Sequence, residues 1–278
     1  MARFETEEDY HRWTCWVLFL LAPVVFSALH FGGQKAAYGR YSMGSGEGEA
    51  NLVARLLATP VIPGRLDWFL HAASLLSVAL VWRRAETDDV PACNLVLLGC
   101  FLLHYVWRSF VFAILVKNPK PMTLPLGLST SGFCLMNGWL QAAGLLLFRN
   151  QGSRGEIPPD DVYAPRFLLG LAMFFFGWYT NVSSDLALIN LRKSPEDRNY
   201  YIPKGGLFEL VSGANFLGEI IEWAGFAYAS GYGRGPLAFA VFTFANLAPR
   251  AMQHHQWYKD KFKDEYPKQR RGLIPYLW

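Results

Sequence analysis

The sequence predicts an all-α polytopic membrane protein, a seven-transmembrane-helix bundle built as a single domain. Three observations predict it. Of 278 residues, 52% are hydrophobic and 16% aromatic while 17% are charged, a balance that suits a membrane protein better than a soluble one. Seven apolar stretches each approach the ~20 residues that cross a bilayer. Lys and Arg are abundant in alternate loops and sparse in the others, as expected of a chain threading back and forth through a membrane.

The first span is expected over 14–31. The preceding segment, 1–9, is acidic rather than a basic n-region, and no clear cleavage site follows, so this span is read as retained. The loop 32–67 contains Gly44-Ser45-Gly46-Glu47-Gly48. It lacks the strand and helix that give a dinucleotide fingerprint its mechanics, and its Glu would repel a diphosphate, so it reads as a flexible loop. A short second span covers 68–82, a third 95–116 and a fourth 131–148. The fifth, 167–191, contains Asn181-Val182-Ser183, a glycosylation sequon placed where no transferase could reach it. The sixth covers 207–228 and the seventh 237–255, ending in polar residues. Cys15, Cys93, Cys100 and Cys134 lie in or near spans without metal-ligand spacing; they read as apolar packing, and no metal site is expected.

With seven spans, the odd loops and the C-terminal tail share one side and hold seventeen Lys and Arg, among them Lys35, Arg40, Arg55, Lys117, Arg192 and Arg198. The other side holds eight, including Arg84, Arg149, Arg154 and Arg234, and Arg108 remains inside a span. The C-terminus is therefore expected in the cytosol and the N-terminus in the lumen. The net charge of +4 follows from those loops and calls for no nucleic acid.

Polar residues inside apolar runs mark the candidate site, because an ionisable group at membrane depth faces a protein interior or a wet cavity. Asn215, Glu219 and Glu222 follow one helical stripe in the sixth span, as do Asn181, Asp185 and Arg192 in the fifth and Arg250, His254 and Tyr258 in the seventh. With the sixth span starting near Leu207, Asn215 would sit about 12 Å in at the helical rise. All three sets are expected in the cytosolic half of the bundle. Arg192, Arg250 and His254 suit phosphates, while Asn and carboxylate side chains suit ribose hydroxyls and amides, the requirements of a nicotinamide dinucleotide. The competing account is a buried ion-pair network with only a structural role. In the third span, His104, Tyr105 and Arg108 form a further cluster, in which Tyr105 could donate to a carbonyl oxygen or simply be a core aromatic.

Three segments carry a resemblance to a known family: GGLFELVSGANFLGEIIEW at 205–223, His104-Tyr105 with Arg108, and FKDEYPKQRRGLIP at 262–275. Together they closely resemble the steroid 5α-reductases, and Asn246-Leu247-Ala248-Pro249-Arg250-Ala251 is similar to plant relatives of brassinosteroid synthesis. The similarity runs from about Tyr38 to the end. It implies a seven-helix membrane fold and NADPH-dependent reduction of a 4-en-3-one steroid or sterol-like lipid, in the endoplasmic reticulum of a eukaryote or the inner membrane of a bacterium. Its cofactor residues fall on Asn181, Asp185, Arg192, Asn215, Glu219, Arg250, His254 and Tyr258. Tyr105 matches the tyrosine that binds the ketone, with Trp68 and Arg108 on the substrate side.

The chain departs from that pattern in two places. The second span of the family opens Trp-Phe-x-x-Glu, whereas here Trp68-Phe69-Leu70-His71-Ala72 puts Ala72 at the acid, so either His71 stands in through a small shift of register, or Tyr105 acts alone, or the activity is lost or altered. Tyr201 stands where several relatives have Arg. Two other readings remain beside the steroid reductase: a trans-2-enoyl-CoA or polyprenol reductase, and a non-catalytic lipid-binding membrane protein. No self-association is predicted.

Overall fold

The computed structural model describes residues 6–31, 59–86, 88–148, 162–194, 196–197 and 199–278. The glycine loop 44–48 and Lys35, Arg40, Arg55, Arg149, Arg154 and Arg198 fall outside them. Helix α1 (Glu7–His30) starts where Thr6 Oγ1 accepts from the Asp9 N–H at 3.2 Å, ahead of an acidic first turn that suits a helix N-terminus. A strand β1 (Pro60–Ile62) leads into α2 (Gly64–Leu70) and α3 (Ala73–Trp82). Then come α4 (Ala92–Val106), a π-helical turn (Trp107–Val111), α5 (Phe112–Leu115), β2 (Met122–Thr123) and α6 (Leu124–Leu146). The chain closes with α7 (Pro165–Asn190), α8 (Ala214–Ala229) and α9 (Arg234–Phe262).

These helices stand in seven columns, two of them broken. Among the described residues, three segments, Glu7–His30, Ala92–Leu115 and Pro165–Asn190, are long and apolar enough to cross a membrane by length and composition. The remaining columns are shorter or carry polar residues facing inward, which makes them less apolar along their length. Large apolar side chains point outward instead, with Trp16, Leu20 and Val24 on α1 and Phe175, Phe176 and Tyr179 on α7 all exposed. On a soluble protein such a band would be an adhesive patch.

The connecting segments meet at the two ends of the bundle. At one end, β1 pairs antiparallel with β2, and Arg65 donates to the Val116 carbonyl at 3.2 Å. There too Lys117 donates to the Arg192 carbonyl at 2.8 Å, and the Arg192 guanidinium donates back to the Lys117 carbonyl. At the other, Arg84 forms a two-pronged pair with Glu7, at 2.7 and 3.2 Å.

Several boundaries differ from expectation. The second column begins at Gly64 rather than Trp68 and breaks at His71–Ala72, where i→i+3 bonds from His71 to Trp68 and from Ala72 to Phe69 replace α-helical ones. The seventh continues to Phe262, beyond His255. The sixth starts at Ala214, not Leu207, which lies in a 3₁₀ turn (Gly206–Glu209). Gly205 and Gly206 hold φ of 85° and 53°, left-handed values that interrupt a helix. Asn215 is therefore the second residue of α8, and the depth of about 12 Å expected for it does not hold. The C-terminal segment braces this start: Ser212 N–H donates to the Arg271 carbonyl at 2.8 Å and Gly213 N–H to that of Gly272 at 3.0 Å.

Helices α7 and α8 touch backbone to backbone. A Cβ placed at Gly177 would lie 2.2 Å from the Glu222 nitrogen, at Gly218 2.5 Å from the Asn181 nitrogen, and at Gly225 2.5 Å from that of Phe174. Glycine at heptad spacing on both helices is what admits this approach. Gly177→Ala should lower the melting temperature in detergent by several degrees or abolish folded yield, since backbone cannot give way. Gly99→Ala, with nothing within 4 Å, should leave melting unchanged; equal melting of both variants would refute the seam.

Candidate active site

A cavity of about 630 Å³ opens between α2, the π-helical turn, α6, α7, α8 and α9. Its wall along α9 runs from Phe239, Phe242 and Thr243 through Asn246 to Arg250, His254 and Tyr258, so one helix grades from apolar to polar. These positions share a face because they recur at helical spacing.

The floor is built around Arg108. Its guanidinium donates to Asp185 Oδ2 at 2.8 Å, to Asn181 Oδ1 at 3.0 Å and to Glu219 Oε2 at 3.1 Å. Asn215 Nδ2 donates to the other oxygen of Asp185 at 3.1 Å, and Asn181 Nδ2 to the Asn215 carbonyl at 2.9 Å. The same guanidinium lies over the rings of Phe112 and Trp68, at 5.2 and 5.7 Å. Two carboxylates facing one cation leave an excess of acceptors, which suits hydroxyl and amide donors rather than phosphate. The π-helical turn that carries Arg108 shifts its direction relative to Tyr105, one helical turn earlier.

Tyr105 is buried, and its oxygen accepts from Asn137 Nδ2 at 3.0 Å. The direction of that bond follows from a chain. Gln141 Nε2 faces the Gly235 carbonyl at 3.2 Å and Asn137 Oδ1 at 3.0 Å. A carbonyl only accepts, so Gln141 presents its amine, Asn137 its oxygen, and the Asn137 amine is left for the phenol. The Tyr105 hydroxyl hydrogen is then available to an acceptor in the cavity.

On α2 the Trp68 ring stacks on His71 at 5.1 Å and meets Phe112 edge-on at 4.7 Å. His71 Nδ1 lies 3.1 Å from the Asp67 carbonyl, so Nδ1 carries the hydrogen and Nε2 of the neutral ring is an acceptor. Basic groups gather at the polar stretch of the cavity. Arg192 is held by the carbonyls of Lys117 and Asn118, Arg250 lies over the Phe216 ring at 5.1 Å, and the His254 ring is 5.2 Å from that same ring.

The family model of 3-oxo-5-alpha-steroid 4-dehydrogenase matches residues 120–278, more than half of the chain. The chain belongs to the 3-oxo-5-alpha-steroid 4-dehydrogenase family. It is 41% identical over 262 residues to 3-oxo-5-alpha-steroid 4-dehydrogenase 1 of Mus musculus, covering 92% of each chain. To the same-named protein of Bos taurus it is 42% identical over 248 residues, covering 86% of this chain and 87% of the relative. To 3-oxo-5-alpha-steroid 4-dehydrogenase 2 of Mus musculus it is 38% identical over 248 residues, covering 88% and 89%.

Within this family member, the residues singled out from the sequence converge. Trp68, His71, Tyr105, Arg108, Asp185, Arg192, Asn215, Glu219, Arg250, His254 and Tyr258 all line the one cavity, and Asn181 supports it from behind through Arg108. Arg108 joins the cofactor-side and substrate-side groups, touching Trp68 on one side and Asp185 on the other. Tyr201 also lines the cavity, its hydroxyl donating to Asp197 at 3.1 Å. Glu222 leaves the stripe: it does not line the cavity and instead pairs at 2.8 Å with buried His104, which does. Asn137, Gln141 and Asp67 went unnoticed in the sequence, although Asn137 and Gln141 show the same i, i+4 signal as the other stripes.

Removing the shared cation should be costly. Arg108→Leu leaves Asp185 and Glu219 uncompensated, at about 3–5 kcal/mol, and should depress melting strongly. Adding Asp185→Asn should recover part of the loss; a double variant no more stable than the single one would mean that the charges are not coupled.

Proposed function

We propose that this chain is an integral-membrane, NADPH-dependent reductase. It saturates the C4–C5 double bond of 3-oxo-4-ene steroids by hydride transfer to the β-carbon and protonation of the α-carbon. The observation that carries this reading is Tyr105, a buried phenol whose oxygen is already occupied by Asn137 and whose hydrogen remains for a carbonyl in the cavity. The names of the relatives support the same substrate class.

The donor set fits the cofactor. Arg192, Arg250 and His254 would hold the phosphates, and Asn215, Asp185 and Glu219 would accept from ribose hydroxyls and the carboxamide, with Asn181 and Tyr258 completing the wall. When bound, the reduced nicotinamide supplies the hydride. The residues of the chain bind, orient and shield. Trp68, Phe112, Phe133 and Phe239 give an apolar surface for a fused-ring lipid and keep water from the carbonyl. Tyr105 donates to the carbonyl oxygen, and this bond strengthens as negative charge collects there after the hydride arrives. Asn137 and Gln141 hold the phenol in line.

In the membrane, the seven columns would span the bilayer with the cavity's polar end and C-terminus facing the cytosol, where NADPH is available. The contacts of β1 with β2 and of Lys117 with Arg192 support a common side for those loops. The membrane is the endoplasmic reticulum in a eukaryote or the inner membrane in a bacterium.

Purified protein in detergent, given NADPH and a 4-en-3-one steroid, should form the 5α-reduced product. Tyr105→Phe should lower turnover at least about 100-fold while NADPH affinity stays within threefold. Asn137→Ala, which only loosens the phenol, should cost about fivefold to tenfold in kcat. NADPH binding without turnover of any enone by the unaltered protein would overturn the proposal.

A further inference from the structure

We infer that Asp67 is a second hydrogen donor to the substrate carbonyl, acting beside Tyr105. The inference rests on the enone-reductase reading. Asp67 lies in the first turn of α2, is 5% exposed and lines the cavity. Its Oδ1 has no hydrogen-bond partner. Ten buried side chains among the described residues carry such an unpartnered atom, and of these Asp67 alone lines the cavity.

The neighbouring groups leave this carboxyl uncommitted. Asp185 and Glu219, the other carboxylates of the cavity, are both engaged by Arg108. No ion pair among the described residues includes Asp67. His71, one turn further on, spends its Nδ1 hydrogen on the Asp67 backbone carbonyl and offers only a lone pair to the cavity. Of the polar groups that α2 presents there, the Asp67 carboxyl in its acid form and the Trp68 indole N–H have a hydrogen to give, and of the two only the carboxyl is left with a buried atom lacking any partner. Trp68 next to it lies beneath the Arg108 guanidinium. Cys134 of α6, on the same wall, comes one turn before the Asn137 that holds Tyr105.

A carboxyl taken out of water without a cation is least costly as the neutral acid, and the neutral acid is a strong donor. A steroid enone offers one matching acceptor, its ketone oxygen. When hydride reaches the β-carbon, the alkene pair moves to join the α-carbon to the carbonyl carbon, and the carbonyl pair moves onto oxygen. The hydrogens of Asp67 and Tyr105 hold that oxygen. A proton taken from water at the α-carbon returns the pair and restores the ketone, oxidised nicotinamide remains, and neither residue is consumed.

The test compares the unaltered protein with Asp67→Asn and Asp67→Ala in detergent, reading kcat, NADPH affinity and steroid binding. Asp67→Ala should lower kcat about 100-fold. Asp67→Asn, whose amide still offers a hydrogen in nearly the same shape, should lose about tenfold, and both should bind NADPH within threefold of normal. The 3-oxo steroid should bind Asp67→Ala more weakly, while an analogue lacking the 3-oxo group binds both proteins alike. A kcat within threefold of normal in Asp67→Ala, or in Asp67→Asn where Ala prevents folding, would overturn the inference. So would equal weakening for the analogue. An unaltered protein inert toward enones would instead sink the reductase reading itself.

Discussion

The close approach of α7 to α8 is the constraint on which the cavity depends. Bilayer lipid is as apolar as a leucine side chain, so two helices in it gain little from hiding apolar surface from each other. Small residues change that by letting backbones meet. Gly177 and Gly218 bring the two helices so close that Asn181 bonds the Asn215 carbonyl at 2.9 Å. Asp185 and Glu219 are thereby fixed on one patch only a few ångströms across. Any larger residue in the seam would move apart the side chains that form the floor.

That patch carries more negative than positive charge, and Arg108 keeps it stable. The guanidinium satisfies Asp185, Asn181 and Glu219 through its fork of donors, a geometry that a lysine could not reproduce. As Trp68 lies against the same guanidinium, the cation also ties α2 to the floor. Charged floor and apolar wall therefore share one residue, and a group bound on the floor lies beside whatever occupies the wall. Hydride transfer requires such adjacency.

Much of this was legible in the sequence, for a reason specific to membranes. A polar residue in an apolar run stands out, and helical spacing turns isolated residues into faces. Asn181 with Asp185, Asn215 with Glu219, and Arg250 with His254 and Tyr258 were found in that way. Arg108 was visible, yet its partners were not, because the π-helical turn that aims it has no signature in residue spacing. Asp67 escaped notice because a charge at the edge of a span ordinarily faces water. Asn137 and Gln141 lie in a helix rich in Ser, Thr and Gly, where two more polar residues raise no contrast. The start of α8 was misplaced because Leu207, Phe208 and Leu210 continue the apolar run through a turn that Gly205 and Gly206 impose.

The most direct test of the account follows the hydride. In a single turnover with NADPH deuterated at the transferring position of the nicotinamide, the steroid product should carry one deuterium at C5, the β-carbon. In deuterated water with ordinary NADPH, the label should appear at C4 instead. Cofactor deuterium at C4, or none in the product, would contradict reduction by hydride delivery to a carbonyl-activated enone.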